Sequence, residues 1–210
     1  MSDPQYYTVV RKEVFQFIPE CDTILDVGCA TGLNLKVLKE MGRCKQTYGI
    51  EYVEEVAKQA QQNIDNVLCA DVSAADLPYP DKFFDVILCL DVLEHMENPW
   101  RAVEKLKRVL KDDGVLIASI PNIAYIPVII KLIFRRFDYE DSGVMDRTHL
   151  RFFTLRSMKQ MFQNAGFIVT KVKGTYMLGW KLFLQFLFTF GLGIFLGALQ
   201  YILVVKKQPK

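Results

Sequence analysis

The sequence predicts an α/β protein built on a parallel, doubly wound β-sheet. Short runs rich in β-branched residues alternate with stretches in which apolar residues recur every three or four positions, and this alternation of strands with helices is typical of such sheets. A glycine-containing turn follows the first of these runs, and acidic residues stand where successive runs end. Since open α/β sheets bind ligands beyond the carboxyl ends of their strands, we also expect a binding site at that edge.

The predicted elements begin with an amphipathic lead helix. Asp3 before Pro4 is typical of a helix start, and apolar residues then recur at helical spacing until Pro19. The five strands of the predicted parallel sheet follow at residues 23–27, 46–50, 66–70, 84–90 and 114–120. The helices between them are predicted at residues 33–41, 53–63 and 98–110.

Later residues predict a last helix and two more strands. The helix covers residues 154–165 and stops before Gly166, and the strands cover residues 167–175 and 198–205. Residues 123–153 interrupt the alternation after the fifth strand. Because this insertion follows the carboxyl end of a strand, we expect it to form a cap over the binding site and to select the substrate.

Length and composition favour one domain in a reducing compartment. The 210 residues are 51% hydrophobic and 24% charged, which is enough to bury one core. The 26 basic and 24 acidic residues leave a formal net charge of +2, so nucleic acid is not an expected partner. The five cysteines are odd in number and mostly lie in apolar runs, and no charged-then-apolar leader is recognisable. We therefore expect a cytoplasmic protein.

The sequence gives little basis for a metal site. It contains no C-x-x-C pair, and its two histidines, His95 and His149, lie far apart along the chain. Zinc sites in proteins draw their ligands mainly from cysteine and histidine. We therefore predict that the protein binds no metal.

The glycine-containing turn predicts an anion-binding loop. The first strand ends in LDV at residues 25–27 and continues into GCATG at residues 28–32. Glycine lets the backbone turn tightly, and the next helix directs its N–H groups and positive dipole end at a ligand anion. The dinucleotide pattern G-x-G-x-x-G would require glycine where the chain has Ala30 and Leu33. This departure disfavours a nucleotide-dependent oxidoreductase or epimerase.

Carboxylates at the next strand ends have the chemistry to bind a nucleoside. Glu51 ends the second strand, where a carboxylate can accept hydrogen bonds from both ribose hydroxyls. Asp71 follows the third strand and could accept one from an adenine amino group. The fourth strand ends in LDVLEH at residues 90–95, so further polar groups should lie at the same edge.

These segments resemble a known family. ILDVGCATG at residues 24–32, YGIE at residues 48–51 and the run from FDVI to His95 at residues 84–95 resemble successive motifs of class I S-adenosylmethionine-dependent methyltransferases. The resemblance covers about residues 20–122. SIPN at residues 119–122 and DRTHLRFFT at residues 146–154 are similar to bacterial methyltransferases associated with cell-surface glycan biosynthesis.

The resemblance implies a fold and a division of the chain. The fold is a Rossmann-like class I methyltransferase fold, with a seven-stranded, mostly parallel sheet in the order 3-2-1-4-5-7-6, helices on both faces and a cap insertion after strand 5. Within a single domain of residues 1–210, it implies a lid helix (1–19), a cofactor-binding core (20–122), a substrate cap (123–153) and C-terminal helices with a β-hairpin (154–210).

The resemblance also implies a cofactor, S-adenosylmethionine, which leaves as S-adenosylhomocysteine. Ala30 departs from the glycine that the family commonly has, and its methyl group narrows the approach to the ligand. The implied acceptor is a small molecule, such as a sugar or lipid-linked glycan precursor. The expected cofactor-binding residues are Tyr7, Asp26, Gly28, Cys29, Ala30, Gly32, Glu51, Tyr52, Asp71, Val72 and Asp91.

His149 and His95 are the candidate catalytic residues. Methyl transfer to a hydroxyl needs one base, and an imidazole has a suitable unperturbed pKa of about 6.5. His149 falls among charged residues of the cap, which could equally be a solvated ion-pair cluster that holds the loop in shape. The alternative function is a non-catalytic, cofactor-binding or membrane-associated scaffold with the same fold.

The apolar C-terminal region leaves two arrangements open. Residues 182–205 contain no charged side chain and are long enough to span a membrane. Gln185 and Gln200 interrupt the run, however, and three glycines divide it, which favours a surface helix near residues 180–190 followed by a strand.

Two segments, residues 123–137 and 178–197, could touch a membrane surface. Residues 125–137 combine an apolar stretch with three basic side chains, a pattern compatible with lying on an anionic membrane. The alternative is that both segments pack against the sheet, or against the second subunit of a homodimer.

Overall fold

The computed structural model describes residues 9–74, 76–176 and 197–209. Its seven strands are β1 (Cys21–Val27), β2 (Cys44–Glu51), β3 (Asn66–Cys69), β4 (Phe84–Leu90), β5 (Leu110–Pro121), β6 (Phe167–Thr175) and β7 (Gln200–Lys207). Its α-helices are α1 (Leu33–Glu40), α2 (Glu54–Ala60), α3 (Pro99–Val109), α4 (Ile126–Ile133) and α5 (Leu155–Asn164). The predicted strands and the helices between them are confirmed, with differences of a few residues at their ends.

All seven strands form one sheet in the order β3-β2-β1-β4-β5-β7-β6. β1 to β5 run parallel to one another, whereas β7 is antiparallel to both of its neighbours, β5 and β6. The predicted order and the predicted C-terminal hairpin are therefore confirmed. The parallel part brings the carboxyl ends of five strands to one edge, where ligands bind in such sheets.

Helices cover both faces of the sheet because strand side chains alternate between two cores. In β1, Leu25 and Val27 pack into one cluster with residues of α3 and α5, and Ile24 packs into the other with residues of α1. Thr154 is the N-cap of α5, and its side chain and that of Ser157 form a capping box. The predicted helices on both faces are thus confirmed.

The predicted lead helix is wrong for the residues that the structure describes. Residues 9–11 are not helical, and Lys12–Phe17 is a 3₁₀ helix. The cause is a tertiary contact, because the backbone N–H of Arg11 donates to Asn34 Oδ1 of α1 at 2.9 Å. This N–H therefore does not form the backbone hydrogen bond that an α-helix would require of it. Apolar spacing alone does not report such a contact. Tyr7 and the proposed start at Asp3 lie outside the described residues.

The C-terminal residues form a strand of the sheet. Leu203 and Val205 of β7 are completely buried, and β7 pairs with both β5 and β6. Residues 200–205 of the apolar run therefore belong to the sheet and not to a membrane-spanning helix, whereas residues 182–196 lie outside the described residues. Across residues 9–74, 76–176 and 197–209, no helix has the length and apolar character needed to cross a membrane. The helix predicted near residues 180–190 lies outside the described residues.

Residues 123–153 lie over the carboxyl edge of the sheet and contain α4. Two backbone N–H groups, of Leu150 and Arg151, donate to the carbonyl oxygen of Glu94 at 2.9 and 3.0 Å. Asn122 and Phe153, at the two ends of the segment, form an isolated parallel β-bridge. These contacts fix the segment to the loop after β4, as a cap over this edge requires.

Candidate functional site

The turn after β1 is held in the shape of a tight loop. The N–H groups of Gly28 and Cys29 both donate to the carbonyl of Ile50, at 2.8 and 3.1 Å. Gly28 has φ +70°, and a Cβ at this position would lie 2.7 Å from Cγ2 of Val92. Only glycine fits this backbone and this close approach, so residue 28 connects the turn directly to the loop after β4.

The second half of the turn also needs left-handed backbone. Gly32 has φ +81° at the N-cap of α1, and a Cβ there would lie 2.6 Å from Ile64. Ala30 has φ +50°, a conformation that costs a non-glycine residue about 1–2 kcal/mol. Alanine can therefore occupy position 30, where related proteins commonly have glycine, but its backbone is strained.

Glu51 compensates for this strain by hydrogen bonding to the turn. Its Oε2 accepts from the N–H of Ala30 at 3.0 Å, and its Oε1 accepts from the N–H of Val53 at 3.0 Å. The residue is only 7% exposed. A carboxylate has about four lone-pair sites, so two remain for a ligand such as a ribose with two hydroxyls.

Asp26 is a buried carboxyl group at the end of β1. It is 1% exposed, and neither carboxylate oxygen has a hydrogen-bond partner among the described residues. Burial raises the pKa of Asp26 to about 8, the neighbouring Asn34 side chain offsets part of that rise, and the charge of Glu51 adds to it. The carboxyl group is thus buried at the end of β1, with the Asn34 side chain beside it.

The other expected cofactor contacts differ in exposure. Cys29 and Val72 are buried, at 2% and 3%, whereas Tyr52 is 73% exposed. Asp71 is partly exposed, and its Oδ1 accepts from both the N–H and the hydroxyl of Ser73 at 2.7 Å. The backbone carbonyls of Val72 and Ser73 are held by Lys105. Tyr52 follows β2, and Asp71 and Val72 follow β3, as predicted, whereas Cys29 belongs to the turn after β1.

Asp91, which follows β4, binds other protein groups. It has φ +55°, and its carboxylate accepts from the hydroxyl of Ser119 at 3.0 Å and from the amide of Gln200. It also forms an ion pair with Arg11. Sequence reasoning did not identify Arg11 or Gln200, because both reach Asp91 from distant parts of the chain. Asp91 therefore joins the N-terminal segment to β4 and β7.

The fold brings His95 and His149 together. Their ring centroids are 4.8 Å apart at an interplanar angle of 66°. Nδ1 of His95 lies 3.1 Å from the carbonyl of Thr148, and Nδ1 of His149 lies 3.1 Å from the carbonyl of Val144. The prediction that the protein binds no metal rests partly on the distance between the two histidines along the sequence. The fold removes that argument, because the two rings are in contact.

Glu94 completes the cluster. It is 1% exposed, and both of its carboxylate oxygens lack a hydrogen-bond partner among the described residues. Burial raises the pKa of Glu94 to about 8 and lowers the pKa of both histidines below their usual value. The sequence feature that could have identified Glu94 is its position next to His95, in the polar run that follows the apolar residues of β4.

The cluster faces a cavity of about 170 Å³ between the carboxyl edge and the cap. Asp91, Glu94, His95 and His149 line it, together with residues 142–144 of the cap and Gln200 of β7. The charged cluster expected around His149 is dispersed instead: Arg147 pairs with Asp141, and the Arg151 guanidinium binds the carbonyl of Glu97. His149 and Asp146 thus both line the cavity, whereas Arg147 and Asp141 pair at the surface.

Asp26→Asn should flatten the dependence of stability on pH. The pKa of Asp26 is about 8 in the folded chain and about 3.8 in the unfolded chain, so the unfolded chain ionises first as pH rises. This residue therefore lowers the free energy of unfolding between pH 4 and pH 8. We expect Asp26→Asn to unfold with a free energy at least about 1 kcal/mol higher at pH 8 and nearly unchanged at pH 4.

Urea unfolding at a series of pH values measures this difference. Asp22→Asn is the matched control, because Asp22 is an exposed carboxylate on the same strand. Equal pH profiles for Asp26→Asn and the unaltered protein would show that Asp26 ionises normally in the folded chain.

Known proteins are similar to this chain in sequence. A family profile described as "Methyltransferase domain" matches residues 5–172. An uncharacterised protein of Methanocaldococcus jannaschii is 35% identical over 133 residues, which are 62% of this chain and 50% of that protein. A probable S-adenosylmethionine-dependent methyltransferase of Mycobacterium tuberculosis is 29% identical over 57% of this chain and 44% of that protein. The chain spans about half the length of these two relatives.

A third relative is covered more fully, and solved structures share the fold. Demethylmenaquinone methyltransferase of Staphylococcus aureus is 25% identical over 166 residues, which are 71% of this chain and 69% of that enzyme. A methyltransferase structure from Archaeoglobus fulgidus matches with a TM-score of 0.70 and 18% identity, covering 93% of this chain and 90% of that one. One from Mesorhizobium loti matches with a TM-score of 0.66 and 15% identity, covering 93% and 96%. The chain therefore belongs to the methyltransferase-domain family, and its fold is the Rossmann-like fold of class I S-adenosylmethionine-dependent methyltransferases.

Proposed function

We propose that the protein transfers a methyl group from S-adenosylmethionine to a small-molecule acceptor bound beneath the cap. The observation that carries this proposal is the contact between the glycine turn and the loop after β4, which both lie at the carboxyl edge of the sheet. The glycine turn, tied to Glu51, abuts Val92 through Gly28, and the residues after Val92 line the cavity under the cap. A cofactor on the turn and an acceptor in the cavity would therefore be neighbours.

The turn and Glu51 have the groups that this cofactor needs. The N-terminus of α1 and the loop amides offer N–H groups to the methionine carboxylate. Glu51 is buried enough for strong hydrogen bonds and keeps two acceptor sites for the ribose hydroxyls. We assign the adenine end to Asp71 and Val72, and we keep Tyr52, Cys29 and Asp26 as cofactor contacts.

The reaction requires alignment more than chemical activation. A lone pair of the acceptor attacks the methyl carbon, the bond from carbon to sulfur breaks, and its electrons stay on sulfur in S-adenosylhomocysteine. The protein contributes an in-line arrangement and the exclusion of water. A hydroxyl acceptor must also lose its proton, and His149 and His95 are the groups that face it.

The proposed acceptor is a sugar or a lipid-linked glycan precursor. Support comes from the resemblance of residues 119–122 and 146–154 to glycan-associated enzymes, and the second of these segments contains His149. The relative named for demethylmenaquinone provides a second acceptor class for comparison. An acceptor screen therefore begins with glycan precursors and includes quinones.

Calorimetry with S-adenosylhomocysteine tests the cofactor assignment. We expect binding to the unaltered protein and binding about 10–100-fold weaker in Glu51→Gln, because the variant loses hydrogen bonds to a charged acceptor worth about 1.5–3 kcal/mol. Glu55→Gln is the control, since Glu55 is an exposed carboxylate in the first turn of α2.

Two results would contradict the assignment. No binding by the folded, unaltered protein would favour the non-catalytic scaffold without this cofactor. A change in the fluorescence of reduced nicotinamide on mixing, with no S-adenosylhomocysteine binding, would favour an oxidoreductase.

Binding of the cofactor without turnover of any screened acceptor would favour a cofactor-binding scaffold.

His149→Ala tests the acceptor end of the site. We expect turnover, measured as release of S-adenosylhomocysteine, to fall by about 100-fold or more, and cofactor affinity to stay within about threefold. Arg147→Ala is the control, because it breaks the exposed ion pair with Asp141 in the same loop. A comparable loss of turnover in both variants would mean that the loop's shape, and not the imidazole, matters.

We also propose that the cap touches a membrane surface through α4 and the residues after it. Val128 anchors α4 in a small core, whereas Ile130, Leu132 and Ile133 on the same helix are exposed. Ile133 and Phe134 are 71% and 73% exposed, and further exposed apolar residues are Ile130, Leu132, Phe137 and Tyr139. Such a patch would place the cavity near a lipid-linked acceptor.

The attraction to a membrane should be mainly hydrophobic. Lys131 pairs with Glu140, and Arg136 pairs with Asp138 at 2.7 Å, so much of the local positive charge is neutralised. We therefore expect binding that depends only weakly on salt. The contact proposed for residues 178–197 lies outside the described residues, and a homodimer that covers the same patch is the competing arrangement.

Flotation with vesicles of phosphatidylcholine and phosphatidylglycerol tests the patch. The double variant Ile133→Ser/Phe134→Ser should bind the vesicles at least about tenfold more weakly, because it removes two exposed apolar side chains. Ile168→Ser is the control, since Ile168 is 43% exposed on β6. Vesicle binding that is absent, or equal in all three proteins, would contradict membrane contact, and a dimer disrupted by the double variant would favour the second subunit.

A further inference from the structure

Three side chains at the base of the cavity are arranged as metal ligands. Glu94, His95 and His149 each offer one ligand atom, and these atoms all lie within 4.8 Å of one another. The ligands of one tetrahedral ion with bonds of about 2.1 Å stand about 3.4 Å apart, so side-chain movements that shorten the longest of these separations by up to about 1.4 Å would close the site.

Glu94 supplies an independent observation that points to a ligand. It is 1% exposed and lines the cavity, yet neither carboxylate oxygen has a hydrogen-bond partner in residues 9–74, 76–176 and 197–209. A buried carboxylate without a partner is costly to keep. A cation in the cavity would satisfy it.

The histidines have the outer contacts of metal ligands. A carbonyl oxygen can only accept, so Nδ1 of His95 donates its proton to Thr148, and Nδ1 of His149 donates to Val144. In this tautomer the lone pair of each ring lies on Nε2. Metal-binding histidines in proteins show this same arrangement, in which the other ring nitrogen donates to a carbonyl or carboxylate.

We infer that Glu94, His95 and His149 bind one divalent first-row transition-metal ion at the base of the cavity. Two imidazoles and one carboxylate suit ions such as Mn²⁺, Fe²⁺ and Zn²⁺ better than Mg²⁺ or Ca²⁺, which prefer oxygen ligands. Three protein ligands leave coordination positions open, as they do in catalytic sites.

The ion would define the acceptor more narrowly, and this step rests on the proposed methyltransferase function. A hydroxyl oxygen of the acceptor would bind an open position of the ion, which would make its proton easier to lose. With both imidazoles bound to the ion, that proton would pass to water in the cavity and not to a histidine, and the oxygen would then attack the methyl carbon. The acceptor class is therefore a hydroxyl compound, and adjacent hydroxyls, as in a sugar, could occupy two positions.

The test measures metal binding directly. Protein without a histidine tag is stripped with a chelator and titrated with Mn²⁺ and with Zn²⁺ by calorimetry, and Co²⁺ is added to record its absorption spectrum. We expect one ion per chain. Glu94→Gln and His149→Gln should each weaken binding by more than about tenfold, because changes to outer contacts alone cost about 10–100-fold.

Glu97→Gln is the matched control, since Glu97 is an exposed carboxylate in the same loop. Circular dichroism establishes that each variant is folded, and His95→Gln replaces any variant that is not. Absence of binding at millimolar ion, or binding that is equal in the ligand variants and in Glu97→Gln, would overturn the inference.

S-adenosylhomocysteine binding, measured on the same samples, separates this inference from the proposed function. If the ion binds and the cofactor does not, the metal site stands and the methyltransferase proposal fails. If the cofactor binds and the ion does not, the methyltransferase proposal stands and this inference fails.

Discussion

The hydrogen bond from the N–H of Ala30 to Glu51 is the interaction on which the site depends. It links the glycine turn after β1 to the end of β2, and it holds Ala30 in a backbone conformation that this residue does not favour. Without it the turn could relax, Gly28 would lose its close contact with Val92, and the loop that carries Glu94 would lose its neighbour. One buried carboxylate thus ties the glycine turn to the end of β2, and the same turn lies against the loop after β4.

Much of the fold could be predicted because it follows from local patterns. β-Branched runs and helical periodicity gave the five parallel strands and the helices between them, and the resemblance to a family gave the sheet order. The lead helix was predicted from apolar spacing alone, but residues 12–17 form a 3₁₀ helix that buries Val14 and Phe15. The N–H of Arg11 binds Asn34, and Arg11 also pairs with Asp91, so contacts with α1 and β4 override local preference. Such contacts leave no periodic signal.

The candidate site was predictable only where a motif carries it. The glycine turn and Glu51 could be assigned because their roles depend on backbone shape and on position at a strand end. The meeting of His95 with His149 could not, since it depends on how a long cap returns to the sheet. That return is fixed by two N–H groups of the cap, of Leu150 and Arg151, on the carbonyl of Glu94. Backbone hydrogen bonds of this kind are nearly independent of side-chain identity.

The distribution of buried carboxyl groups argues that the carboxyl edge of the sheet is incomplete without a ligand. Asp26 and Glu94 are each 1% exposed and lack hydrogen-bond partners among the described residues, whereas buried Glu51 has two. On the opposite edge, Asp85 binds the N–H and hydroxyl of Thr23 and the ammonium of Lys111, so this chain satisfies carboxylates where no ligand is expected. Unsatisfied groups in natural proteins concentrate at functional sites, because local stability is sacrificed there for binding. A ligand that brings donors or positive charge to this edge would therefore stabilise the fold as well as bind to it.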